Sequence, residues 1–226
     1  DLNFTLSILE SNNGSLSLGG TIPLADISNY SPFPPRIELE DIDSDGDLDL
    51  MLSKQVENRS SYTGYQTSVY LYENSGDAVT PEFGGTITIA GGTFLAAEPD
   101  MPYADMSFAD LDLDGDLDLI LTGLDFSYGV PPELGVSQFA NAGDRTSPVF
   151  ESTTRLFDPN DLDFPSPSFK GGSPSGGLIT SQFVDLNGDN DADLVNYFFS
   201  PYGIYVHENV ADNTKYPSFI DEEYIV

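Results

Sequence analysis

Asp110-Leu-Asp-Leu-Asp-Gly-Asp-Leu-Asp118 puts a carboxylate at every odd position of a nine-residue run and a glycine at the sixth. The same run occurs upstream as Asp41-Ile-Asp-Ser-Asp-Gly-Asp-Leu-Asp49. It recurs downstream, more loosely, as Asp185-Leu-Asn-Gly-Asp-Asn-Asp-Ala-Asp193. The first Asp residues lie 69 and then 75 positions apart. Oxygen side chains at positions 1, 3, 5 and 9, with a main-chain carbonyl at position 7, form a cage of hard ligands suited to Ca²⁺. Converging them needs a tight loop with a left-handed backbone at position 6, which Gly46 and Gly115 adopt without steric cost and Asn190 tolerates. The loops hold 14 Asp in all. So dense a set of charges is unfavourable without a cation.

Two further markers follow each loop. Tyr72-Glu-Asn-Ser-Gly-Asp77 matches Phe139-Ala-Asn-Ala-Gly-Asp144 and His207-Glu-Asn-Val-Ala-Asp212. Then come Pro81-Glu-Phe83, Pro148-Val-Phe150 and Pro217-Ser-Phe219, with spacings from Asn to Pro of 7, 7 and 8. Three markers in one order, three times, define three copies of one unit.

The segments around the loops alternate with period 2. Arg36–Glu40 precedes the first loop, Leu48, Leu50 and Leu52 follow it, and Leu117, Leu119 and Leu121 repeat the pattern. Val69–Tyr72 and Thr86–Ile89 read as further strands, and no helical period is sustained. With 21 Gly and 16 Pro as punctuation, the expected class is all-β, built as tandem blades. The expected division is N-terminal strands in 1–35, repeat 1 in 36–104, repeat 2 in 105–177 and repeat 3 in 178–226. Lys54–Thr67 and Asn160–Gly177 read as surface insertions.

Composition excludes several functions. The chain carries 38 acidic and 7 basic residues, a formal net charge of −31, so neither a nucleic-acid backbone nor an anionic membrane is an expected partner. No apolar run reaches the ~20 residues that span a bilayer. The absence of Cys removes disulfides, thiol nucleophiles and thiolate metal sites. His207, the single histidine, aligns with Tyr72 and Phe139 and is expected to be structural. No Gly-x-Ser-x-Gly elbow or P-loop occurs, so no catalysis is expected.

The paired loops and trailing Asn-x-Gly-Asp and Pro-x-Phe elements resemble the FG-GAP and VCBS repeat family, the calcium-loop blades also found in integrin α-subunit propellers. The resemblance covers most of residues 36–220. It implies four-stranded blades with the loop joining adjacent strands, about three Ca²⁺ ions, and an extracellular or cell-surface role in adhesion, ligand binding or scaffolding. The candidate ligands are Asp41, Asp43, Asp45, Asp47 and Asp49; Asp110, Asp112, Asp114, Asp116 and Asp118; and Asp185, Asn187, Asp189, Asp191 and Asp193. Asn187 replaces a carboxylate, so the third site is expected to be the weakest. The loops differ from EF-hands, whose twelfth position is a bidentate Glu, whereas here it is Leu52, Leu121 and Asn196.

A closed propeller needs about four to eight blades, and only three loops are present. Strand exchange between subunits, giving a ring or filament, is the expected completion, with Phe219–Val226 read as the start of a further unit. The competing expectations are a glycan- or protein-binding module, for which Tyr62, Tyr65, Tyr70 and Tyr72 are candidate stacking residues, and an accessory region of a polysaccharide-active enzyme. Asn3, Asn13, Asn29 and Asn58 begin N-glycosylation sequons, and Ser166 and Ser168 lie in a Pro/Ser-rich stretch suited to O-linked sugar.

Overall fold

The computed structural model describes residues 5–12, 15–23, 35–57, 59–60, 65–77, 81–83, 94–99, 104–125, 133–150, 154–155, 178–199, 202–210 and 219–225. Among them there is no helix. Strands β1 (Thr5–Asn12) and β2 (Ser15–Pro23) form an antiparallel hairpin. Three four-stranded antiparallel sheets follow. The first joins β3 (Arg36–Glu40), β4 (Asp49–Glu57), β5 (Tyr65–Tyr72) and β6 (Phe94–Pro99). The second joins β7 (Asp105–Ala109), β8 (Asp118–Asp125), β9 (Glu133–Phe139) and β10 (Thr154–Arg155). The third joins β11 (Leu178–Val184), β12 (Asp193–Phe199), β13 (Tyr202–Asn209) and β14 (Phe219–Ile225). In each, spatial order equals chain order, so every sheet is an up-and-down meander and every acidic loop joins its first two strands.

Alternation along the strands builds the core between sheets. Met51, Val69 and Leu71 of the first sheet pack with Met106, Leu119, Leu121 and Phe139 of the second. The opposite face of the second sheet, with Ile120 and Val136 and joined by Leu111 of the acidic loop, packs with Leu194, Phe183 and Tyr205 of the third. Consecutive residues such as Leu119 and Ile120 therefore serve different interfaces, which is why the middle sheet reads as apolar on both phases. On the far face of the first sheet, Leu50, Leu52 and Tyr72 are buried together beside Tyr70 and Phe83. On the far face of the third, Val184 and Ile204 are exposed.

The first strands converge on Asp105. Its carboxylate pairs with Arg36 of β3 at 3.1 Å and accepts the Ser181 N–H of β11 at 2.8 Å, so one side chain of β7 ties all three sheets. Arg36, Glu38, Asp105, Ser107, Ser181 and Gln182 line a cleft of about 340 Å³ there.

Two expectations are corrected. Lys54–Thr67 is not wholly an excursion: β4 runs to Glu57 and β5 starts at Tyr65, and Lys54, Gln55 and Thr67 are buried. Gln55 donates to the Thr67 hydroxyl at 2.9 Å, which makes the polar composition a buried pair. Phe219–Val226 does not begin another unit, because β14 pairs with β13 as the outer strand of the third sheet. Thr86–Ile89, Asn160–Gly177, the four sequon asparagines, Ser166, Ser168 and Tyr62 lie outside the described residues.

Candidate metal centres

Each acidic loop is folded by its own carboxylates. The position-1 residue accepts the N–H of position 6: Gly46 to Asp41 at 3.1 Å, Gly115 to Asp110 at 3.0 Å and Asn190 to Asp185 at 3.1 Å. The position-5 residue accepts the N–H of position 7: Asp47 to Asp45 at 2.9 Å, Asp116 to Asp114 at 3.2 Å and Asp191 to Asp189 at 3.2 Å. These are side-chain-to-backbone turns of the kind Asp and Asn favour. They wind the chain tightly enough to gather Asp41, Asp43 and Asp45 so that one oxygen of each lies within 4.8 Å of the others. Asp110, Asp112 and Asp114 are gathered in the same way.

The winding uses two left-handed residues per loop. Position 6 is left-handed at Gly46 (φ 99°), Gly115 (φ 100°) and Asn190 (φ 75°), and position 4 is left-handed at Ser44 (φ 57°), Leu113 (φ 59°) and Gly188 (φ 85°). The third loop thus carries its glycine at position 4 and its Asn at position 6. Both variants supply the same backbone.

Position 9 has a different role from the other carboxylates. Asp49, Asp118 and Asp193 are buried, and in each both oxygens are engaged by main-chain N–H groups. One oxygen accepts from position 2: Ile42 at 3.2 Å, Leu111 at 3.3 Å and Leu186 at 3.0 Å. The other accepts from the marker asparagine: Asn74 at 2.9 Å, Asn141 at 2.8 Å and Asn209 at 2.8 Å. The Asn74 side-chain oxygen in turn accepts from Gly76 and Glu82, and that of Asn141 from Gly143 and Val149. Glu82 and Val149 are the central residues of Pro81–Phe83 and Pro148–Phe150. In the first two copies the three sequence markers are therefore successive stations of one hydrogen-bonded relay.

The electrostatics fit a bound cation. Burial pushes Asp49 and Asp118 up to about 6 despite their N–H donors. Burial and then neighbouring carboxylates raise Asp43 and Asp112, and push Asp191 to about 6 and Asp116 to about 7. Each loop also holds a buried carboxylate oxygen with no hydrogen-bond partner: Asp41 Oδ1, Asp116 Oδ1 and Asp191 Oδ1. An all-oxygen donor set with unsatisfied buried oxygens suits a hard divalent ion.

The third loop is different. Asp185, Asn187 and Asp189 are exposed, and no triplet of close carboxylates forms there among the described residues. The Asn187 amide instead donates to Asp189 at 2.8 Å and to Glu208 at 3.2 Å. Glu208 immediately precedes the marker Asn209, and its counterpart Glu73 precedes Asn74. Glu73 is raised by burial and then by the charges of Asp43 and Asp45. Sequence reasoning missed both glutamates, although a Glu directly before the marker asparagine in two of the three copies was a usable signal. Arg145, in the turn after β9, donates to Ser44 at 3.3 Å and so lays a guanidinium against the first loop.

Of the residues considered for other chemistry, His207, Tyr70 and Tyr72 are packed. His207 is buried on β13 opposite Leu194, and Tyr70 and Tyr72 sit beside Leu50 and Leu52. The Lys54 ammonium covers the Tyr70 ring at 4.9 Å. No family model, curated protein or solved structure matches this chain.

Proposed function

We propose that the chain is an extracellular, calcium-stabilised array of β-blades with a structural or adhesive role and no catalysis. The observation that carries this reading is the pair of carboxylate triplets, Asp41/Asp43/Asp45 and Asp110/Asp112/Asp114, each gathered within 4.8 Å by a loop that joins two strands. A divalent cation there offsets part of the loop's charge and fastens adjacent strands, as disulfides would in a chain that had Cys. Because it binds only the folded loop, it adds stability in proportion to the logarithm of its concentration over Kd. The resemblance to FG-GAP and VCBS repeats supports the surface location and Ca²⁺ as the ion. Melting in millimolar Ca²⁺ and in excess chelator tests the reading: a markedly lower Tm in chelator is expected, and an unchanged Tm contradicts it.

Self-association into a surface assembly or filament is the more specific role we assign. It is supported by the exposed Val184 and Ile204 on a sheet face whose counterparts in the other two sheets are packed. The pairing of β14 within its own sheet makes face-to-face stacking a better mode than donation of that strand. Light scattering of the full chain in Ca²⁺ checks this, with a sharp monomer as the contrary result.

A further inference from the structure

The cleft at Asp105 is built from equivalent places of the three copies. Counted back from the first Asp of each acidic loop, the fifth place holds Arg36, Asp105 and Thr180, and the third holds Glu38, Ser107 and Gln182. These two layers line the cleft of about 340 Å³ where β3, β7 and β11 converge. That volume lies at the small end of the range of ligand sites, ~300–1,000 Å³. The acidic loops repeat one chemistry from copy to copy, whereas these layers differ at every member. Unlike groups at like places fit one asymmetric occupant.

Two hydroxyls of the lining are buried without partners. Ser107 is 9% exposed and Ser181 3%, and neither Oγ has a hydrogen-bond partner. Ser107 stands on the same side of β7 as Asp105, and Ser181 gives its N–H to the Asp105 carboxylate. A buried hydroxyl without a partner is costly, and a ligand that supplies one recovers the loss. Charge selects among ligands. Arg36 pairs with Asp105 at 3.1 Å, and among the described residues no cation pairs with the half-buried Glu38 carboxylate. The guanidinium opposes a divalent metal ion, and the two carboxylates oppose an anion. Gln182, exposed at the rim, adds an amide donor and acceptor. We propose that this cleft binds a small organic amine bearing hydroxyl groups, its ammonium held by Glu38 and its hydroxyls by Ser107, Ser181 and Gln182. This function goes beyond the structural role above and does not depend on the acidic loops.

Calorimetry on the full chain tests this with glucosamine and 2-aminoethanol, in millimolar Ca²⁺ so that the acidic loops do not take up the amine. One saturable site is expected, with glucose and ethane-1,2-diol bound at least tenfold more weakly. Glu38→Gln keeps the side-chain shape and should lower amine affinity tenfold or more. Glu57→Gln, at the exposed end of β4, should change it less than twofold. Gln182→Lys places a tethered ammonium at the rim and should abolish binding. Its exposed position keeps the test decisive if Glu38→Gln fails to fold. No saturable binding of either amine, equal affinity for amine and alcohol, or parental affinity in either cleft variant overturns the proposal and leaves the calcium reading as it stands. One-for-one displacement of the amine by added Ca²⁺ also overturns it, by making the cleft a metal site.

Discussion

The Asp118 carboxylate accepts the Asn141 main-chain N–H at 2.8 Å across 23 residues, joining the acidic loop before β8 to the turn that leaves β9. The same bond recurs from Asn74 to Asp49 and from Asn209 to Asp193, so the ninth carboxylate is a staple of the blade in all three copies. Its two oxygens each accept a main-chain N–H, which separates it from the close carboxylates Asp110, Asp112 and Asp114.

That separation is testable. Asp118→Asn turns one acceptor into a donor facing an N–H, and should cost about 2–3 kcal/mol in metal-free protein, the scale of a buried hydrogen-bonded charge. Asp112→Asn should leave metal-free stability equal or higher and weaken Ca²⁺ binding instead. Chemical denaturation in chelator, paired with calcium titration, reads both. Equal effects of the two variants in chelator would contradict the division of labour.

The pH response follows from the raised carboxyls. Asp49, Asp118 and Asp191 at about 6, and Asp116 at about 7, hold protons that the unfolded chain, near 3.9, releases. The folded state therefore binds more protons between roughly pH 4 and 7, and metal-free stability should rise as pH falls from 7.5 to 5. Calcium competes with protons on the clustered carboxyls, Asp43 and Asp112 among them, which are also raised, so its affinity should fall as pH falls. A metal-free Tm that drops on this acidification would contradict the account.

Glycine substitutions should separate conformational from steric cost. At Gly115, φ is +100° and a Cβ would meet nothing within 4 Å, so Gly115→Ala should cost about 1–2 kcal/mol from the left-handed backbone alone. At Gly143 a Cβ would run into the Ser147 carbonyl and the Val149 nitrogen, so Gly143→Ala should cost more. Thermal melts of the two variants give the order, and the reverse order would count against the described turn.

Asp105 should matter more than its partner. Asp105→Ala leaves both Arg36 and the Ser181 N–H without an acceptor, and a loss of about 3 kcal/mol is expected for breaking a largely buried pair. Arg36 is more exposed, and Arg36→Ala should cost about 1 kcal/mol. Urea midpoints test the ratio.

Much of this architecture is legible in the residues. The three acidic runs mark the strand junctions, and the period-2 leucines at Leu48–Leu52 and Leu117–Leu121 mark strands; that Met51 and Ile120 bury the opposite faces as well is shown only by the fold. The left-handed Ser44 and Leu113 are not legible, because neither residue type signals positive φ; the surrounding hydrogen bonds hold them there. The inward turn of Asp116 is equally hidden, since Asp47 and Asp116 are the same residue in the same motif and differ only in burial. Glu73, Glu208 and Asp105 act across strands or sheets, and only the fold brings them to their partners. Lys54–Thr67 misled because buried polar pairs such as Gln55 and Thr67 look, in sequence, like a solvated loop.

The most direct test of the central claim is calorimetric titration of Ca²⁺ into the chelator-treated full chain. Two tight sites and a weaker third are predicted, with the total reduced by one in Asp112→Asn and in Asp43→Asn. No saturable heat, or a stoichiometry unaffected by those substitutions, would contradict the assignment of the acidic loops as cation sites.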